Sequence, residues 1–207
     1  MTEFRIIPCE EWGAMPPRGK IESAGRPVRI IFHHTDGHHT ELDHKPGESF
    51  AEAVGYARAV QKSHMSPSPT DPSKPWLDTG NNFLVTKAGY IFEGRHGSLD
   101  AINHGRMVVS AHCPGQNTQP GIEHEQFGDE PLTPAQREAS IWLHAHICHK
   151  TGIKPSSIHG HREFFATACP GALFPDLGEF RKAVAKALEP QPEPIPSGGG
   201  GHVPTPE

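Results

Sequence analysis

Seven residues, Val28–His34, constrain the fold of this chain more than any other segment. They read Val-Arg-Ile-Ile-Phe-His-His, β-branched and nearly continuous in apolar character, the pattern of a strand buried in the middle of a sheet. Shorter runs of strand type follow. Asn82–Thr86 and Tyr90–Glu93 flank Lys87-Ala88-Gly89, which reads as a hairpin with glycine at the tight position. Met107–Ala111, Ile122–Gln126 and Ser157–Gly160 are weaker strand candidates. Three helices are punctuated by their ends. One spans Phe50 to His64, with a capping box of Ser49 and Glu52 and an apolar face of Phe50, Ala53, Val54, Ala57 and Val60. The second spans Pro134 to Thr151, with Thr133 as cap, Gln136 completing the box and Gly152 as the stop. The third spans Leu177 to Leu188, with Asp176 as cap, Glu179 as its partner and Pro190 beyond the end. Strands and helices mixed in this way imply an α/β or α+β sheet with helices packed on its faces.

The length, 207 residues, fits one domain plus a tail. From 189 to 207 alternating prolines give way to four glycines, a composition that cannot bury a core, so the domain is 1–188 and 189–207 is a flexible tail or linker. Lys and Arg number 19 against 24 Asp and Glu, for a net charge of −5. That balance is a poor basis for sequence-independent binding to nucleic acid or an anionic membrane. No apolar run approaches membrane-spanning length. The start lacks the basic and apolar regions of a signal peptide, so the expectation is a chain made in the cytoplasm. Cys9, Cys113 and Cys148 read as small buried thiols rather than a disulfide framework.

Histidine, at 16 residues, invites a metal reading, but only position selects the histidines that matter. His33 and His34 end the central strand. His159-Gly160-His161 follows another short strand, and Cys169 comes eight residues after His161. Two imidazoles and a thiolate suit Zn²⁺ and leave a fourth position for water, the arrangement of a hydrolytic site rather than a closed structural one. The spacing itself is not diagnostic.

The local sequences resemble those of zinc N-acetylmuramoyl-L-alanine amidases of the type 2 class, which share a fold with peptidoglycan recognition proteins. Arg29-Ile30-Ile31-Phe32-His33-His34-Thr35 is similar to the family's first metal-binding strand. Trp76-Leu77-Asp78-Thr79-Gly80-Asn81-Asn82-Phe83, Ser110-Ala111-His112, Gly121-Ile122-Glu123, Gly160-His161-Arg162-Glu163 and Thr167-Ala168-Cys169-Pro170-Gly171 follow in family order. The resemblance covers about residues 4 to 188 and implies an α/β fold: a central mixed β-sheet flanked by helices, with a groove over one zinc. It implies His34, His161 and Cys169 as metal ligands, because the family's strand histidine directly precedes the Ser or Thr. His33 and His112 then line the groove, and His159 takes a supporting or surface role. Many members carry Tyr where this chain has Asn81, which leaves Asn81 as a substrate contact unable to exchange a proton. A branch resembling the anhydro-muropeptide amidases uses the Glu of Gly-Ile-Glu as its catalytic carboxylate, so Glu123 is the expected general base, with Glu125 as fallback. Thr167 is the expected donor to the developing oxyanion, and Arg162 an anchor. Trp76 and Trp142 read as packing aromatics, with Trp12 or Trp76 as possible borders of a sugar groove.

The implied reaction is hydrolysis of the amide between N-acetylmuramic acid and L-alanine in peptidoglycan. As a phage or prophage endolysin, the chain would reach the wall with a partner holin. The alternatives are a muropeptide-recognition module that does not cut, or a cytoplasmic muropeptide-recycling amidase.

Overall fold

The computed structural model describes residues 4–35 and 49–189; the expected tail, apart from Glu189, lies outside them. The strands are β1 (Ile6–Ile7), β2 (Ser23–Ala24), β3 (Ile30–His34), β4 (Phe83–Val85), β5 (Ile91–Glu93), β6 (Met107–Val108), β7 (Gly121–His124) and β8 (Ile158–Gly160). The helices are α1 (Cys9–Trp12), α2 (Phe50–His64), α3 (Ser98–Asn103), α4 (Pro134–Thr151) and α5 (Leu177–Ala187). Six strands form one sheet in the order β1-β5-β4-β7-β3-β8, and β2 pairs with β6 apart from it. Strands β4, β7, β3 and β8 run parallel, while β5 is antiparallel to β4 and parallel to β1. The sheet is therefore mixed, with β3 interior as its composition requires. Gly89 adopts φ +87° at the β4–β5 turn, and a Cβ there would sit 2.9 Å from the Ala135 carbonyl, so the turn needs glycine.

Alternation along the strands sorts side chains between two apolar layers. Ile30, Phe32, Phe83, Val85, Ile91 and Ile122 pack with Leu143, Ile147, Phe180 and Val184 of α4 and α5. Leu84 and Phe92 face the other way, against Ala53, Tyr56, Ala57 and Val60 of α2 and Trp12 of α1. The buried thiols Cys9, Cys113 and Cys148 behave as expected.

Helix ends follow the sequence with three differences. The Ser49–Glu52 capping box is complete, but Phe50 remains 40% exposed and packs edge-on to Tyr90 instead of joining the core. Thr133 caps α4, whereas Gln136 does not close a box. Its Nε2 donates to the carbonyls of Val85 and Glu125 at 3.1 and 2.8 Å, which pins the helix to the sheet. Asp176 makes no side-chain cap to α5, and Glu179 instead pairs with Lys182. Among the described residues no helix is long and apolar enough to cross a membrane.

Candidate metal centre

Strands β3 and β7 are neighbours in parallel register, with His33 opposite Glu123 and His34 opposite His124. The pleat therefore sends His33 and Glu123 to the face of the sheet opposite Phe32, and puts His34 on the same side as Phe32 and His124. On the first face a cluster forms. One ligand atom each from His33, His161 and Cys169 all lie within 4.8 Å of one another. His161 enters from the turn after β8, its ring 4.4 Å from that of His33. Cys169 arrives eight residues later on a loop tied back by Arg162, whose backbone N–H donates to the Cys169 carbonyl and whose guanidinium reaches the carbonyl of Ala168. Arg162 is thus the anchor the sequence suggested.

His34, expected as the first ligand, is corrected to His33. One residue along a strand reverses the side chain, and the His34 ring lies over Gly171. Its backbone still serves the site, because its N–H donates to Cys169 Sγ at 3.4 Å. His33, expected to line the groove, is buried at 4% exposure inside the cluster.

The cluster has the chemistry of a zinc site. His33 Nδ1 lies 3.7 Å from Cys169 Sγ, close to the separation of about 3.6 Å that a tetrahedral zinc with ordinary N and S bond lengths imposes. His161 Nε2 is buried and has no hydrogen-bond partner among the described residues, as a nitrogen kept for a metal would be. Burial, followed by the neighbouring imidazoles, holds His33 well below its usual pKa and His161 down to about 4. Both rings stay neutral, the form that binds metal.

Behind His33 stands His112, only 7% exposed. His33 Nε2 and His112 Nδ1 are 2.8 Å apart, and His112 Nε2 is 3.0 Å from the Gln119 carbonyl. Both nitrogens of His112 are engaged inside the protein, which corrects its expected role as a substrate contact. Its ring occupies space that only a glycine at 121 leaves open, because a Cβ there would meet His112 Cδ2 at 2.4 Å. On the opposite face His124 Nδ1 donates to the His33 carbonyl at 2.9 Å, and Ser140 Oγ donates to His124 Nε2 at 2.7 Å.

Glu123 is buried beside the cluster at 2% exposure. Burial pushes its carboxyl up to about 7, against a bond from Asn81 and the charge of Lys74 that act to lower it. Asn81 Nδ2 donates to Glu123 Oε2 at 2.5 Å. Asn81, expected to contact substrate, is 6% exposed and instead holds the carboxylate. Glu125, the fallback base, accepts the Lys87 backbone N–H at 2.9 Å and secures the hairpin. Thr167 Oγ1 accepts the Cys169 N–H at 3.2 Å, a local turn bond that leaves its own hydroxyl proton to donate elsewhere. Trp12 is buried, its indole N–H on the Glu93 carbonyl, so it borders no groove. Trp76 is half-buried, with Lys74 Nζ 5.0 Å above its ring.

The loop carrying Asn81 rests on an ion pair that sequence reading missed. Asp78 Oδ1 accepts from Gln61 and the Thr79 N–H, both at 2.8 Å. Its Oδ2 takes the His96 ring at 2.7 Å and the His96 N–H at 2.8 Å. Burial alone would raise Asp78, but the bonds from His96, Gln61 and Thr79 outweigh it and hold the carboxyl below its usual 3.8. The bond to Asp78 raises His96 above 6.5. Asp78 contributes stability above about 3.8 that fades as pH falls; His96 contributes below about 6.5 and fades as pH rises. The melting-temperature margin of wild type over Asp78→Asn is expected to be widest between about pH 4 and 6.5. A margin independent of pH would remove the pair as its source.

The family model described as N-acetylmuramoyl-L-alanine amidase matches residues 23–172. The chain is 26% identical over 191 residues to the N-acetylmuramoyl-L-alanine amidase of Homo sapiens, across 90% of this chain and 30% of that protein. It is 28% identical over 169 residues to peptidoglycan-recognition protein SC2 of Drosophila melanogaster, across 80% of each. It therefore spans about a third of the human relative and most of the insect one. A solved Drosophila PGRP-LB variant in complex with tracheal cytotoxin superposes with TM-score 0.65 at 25% identity, over 82% of this chain and 91% of that one.

Proposed function

Because the chain belongs to the N-acetylmuramoyl-L-alanine amidase family, we propose that it hydrolyses the amide joining N-acetylmuramic acid to L-alanine in peptidoglycan, with one zinc held by His33, His161 and Cys169. The observation that carries this reading is the cluster of His33, His161 and Cys169, its imidazoles held neutral, with a buried carboxylate on the same sheet face. Zinc held there supplies Lewis-acid chemistry, making a water more acidic and polarising the scissile carbonyl.

The remaining work falls to the chain's own side chains. Glu123 takes the proton of the attacking water and returns it to the leaving amine, a role suited to a carboxyl whose pKa sits near neutrality. Asn81 orients that carboxylate through its amide and has no proton to exchange. Thr167 directs its hydroxyl proton to the developing oxyanion while its oxygen secures the Cys169 N–H. The His34 N–H donates to the Cys169 sulfur and helps hold it beside His33. Complexes such as that of the PGRP-LB variant with tracheal cytotoxin support peptidoglycan fragments as the ligand class. A lytic, endolysin-type role is the cellular reading we attach to this reaction, with passage to the wall through a holin.

Zinc-loaded protein incubated with purified peptidoglycan should expose new L-alanine amino termini, and a chelator should stop the release. Absence of release across several peptidoglycan chemistries would overturn hydrolysis. Sedimentation with sacculi without cleavage would then mark a recognition module. Cleavage of soluble muropeptides but not of sacculi would replace the lytic role with recycling.

A further inference from the structure

We infer that His112 is a positioning residue for the metal centre, fixing His33 in the tautomer whose Nδ1 lone pair faces Cys169 and His161. The inference rests on the reading of His33, His161 and Cys169 as metal ligands, and its logic is a chain of obligatory donors and acceptors. The Gln119 carbonyl only accepts, so His112 Nε2, 3.0 Å away, carries the hydrogen. A neutral His112 then has its lone pair on Nδ1. His33 Nε2 lies 2.8 Å from that atom and must be the donor. A neutral His33 is left with its lone pair on Nδ1, the atom 3.7 Å from Cys169 Sγ. With His112 neutral, the reverse direction would leave no hydrogen between His112 Nε2 and the Gln119 carbonyl, 3.0 Å apart.

The surroundings leave the relay little freedom. The two rings meet nearly perpendicular, at 79° with centroids 4.8 Å apart, and His112 is packed over Gly121. The backbone of His33 is held independently, its carbonyl accepting from His124 Nδ1 at 2.9 Å. One bond thus fixes the strand and the other fixes the ring. A carbonyl–histidine–histidine relay does here what a carboxylate or carbonyl partner does behind metal-binding histidines generally, setting the tautomer and raising ligand basicity.

The direct test needs no substitution. Long-range ¹H–¹⁵N spectra of the metal-free full chain should show both His33 and His112 as Nε2–H tautomers; an Nδ1–H tautomer at His33 overturns the proposal. The functional arm measures zinc affinity by chelator competition and the visible spectrum of the cobalt-substituted protein. His112→Phe, which keeps a ring but removes the acceptor, should bind zinc about 10- to 100-fold more weakly and alter the cobalt bands. His112→Gln, whose side-chain oxygen can accept from His33, should recover most of the affinity. Wild-type zinc affinity in a folded His112→Phe overturns the proposal, and the tautomer spectra decide it if that variant fails to fold. Failure of wild type to bind zinc would instead count against the metal reading, and the spectra distinguish the two outcomes.

Discussion

His33→Ala should abolish stoichiometric zinc binding and lower the release of L-alanine amino termini by about 10³-fold or more, while His34→Ala should keep its zinc. The magnitude follows from losing several kcal/mol of transition-state stabilisation at about 1.4 kcal/mol per tenfold in rate. The asymmetry follows from the strand. His33 shares a sheet face with Glu123 and lies within the cluster of His161 and Cys169, whereas the His34 ring lies over Gly171. His34→Ala retains the backbone N–H that reaches Cys169 Sγ, so its effect should stay within a few-fold. Metal content and activity on the two purified variants decide the matter. Zinc retained by His33→Ala and lost by His34→Ala would return the ligand to His34.

These two histidines mark the point where the sequence stops being legible. Elements declared by local chemistry were readable. The Ser49 box, the Thr133 cap and the β-branched run before His33 each produce their element with ends shifted by no more than two residues. Motif order likewise brought Cys169 and His161 together. The face of an adjacent pair was not readable, because it depends on register between β3 and β7, which no local pattern near His33 specifies. Asn81 and His112 were misassigned for a related reason. Each occupies a motif position near the groove, yet each spends its polar atoms on a partner distant in sequence: Asn81 on Glu123, and His112 on His33. Gln136 shows the same rule at a helix end, since a capping partner is open to capture by any carbonyl that the fold brings closer.

Glu123→Gln should lower kcat by about 10²- to 10⁴-fold while leaving zinc affinity intact, because in the proposed reaction the carboxylate moves a proton and it is not part of the His33, His161 and Cys169 cluster. Glutamine fills the same space, and its carbonyl still accepts from Asn81 Nδ2, so the loss would report proton transfer rather than packing. A second effect should run in the opposite direction. Burial raises the Glu123 carboxyl from its usual 4.5 to about 7, so folding favours the protonated form. Metal-free wild type should therefore lose stability as pH rises from about 4.5 to 7 and level off above that. Metal-free Glu123→Gln escapes this loss and should be the more stable protein at pH 8, by up to about 3 kcal/mol. Denaturant melts of the two metal-free proteins at pH 5 and pH 8 measure the difference. Equal stabilities at pH 8 would mean the charged carboxylate is solvated, in which case Glu123 would lack the raised proton affinity that suits it to carry a proton near neutral pH. If both results are found, the carboxylate costs stability in the empty site and serves the reaction once substrate arrives, and its place in the fold is explained by its chemistry, because an amide of the same shape would fold better there.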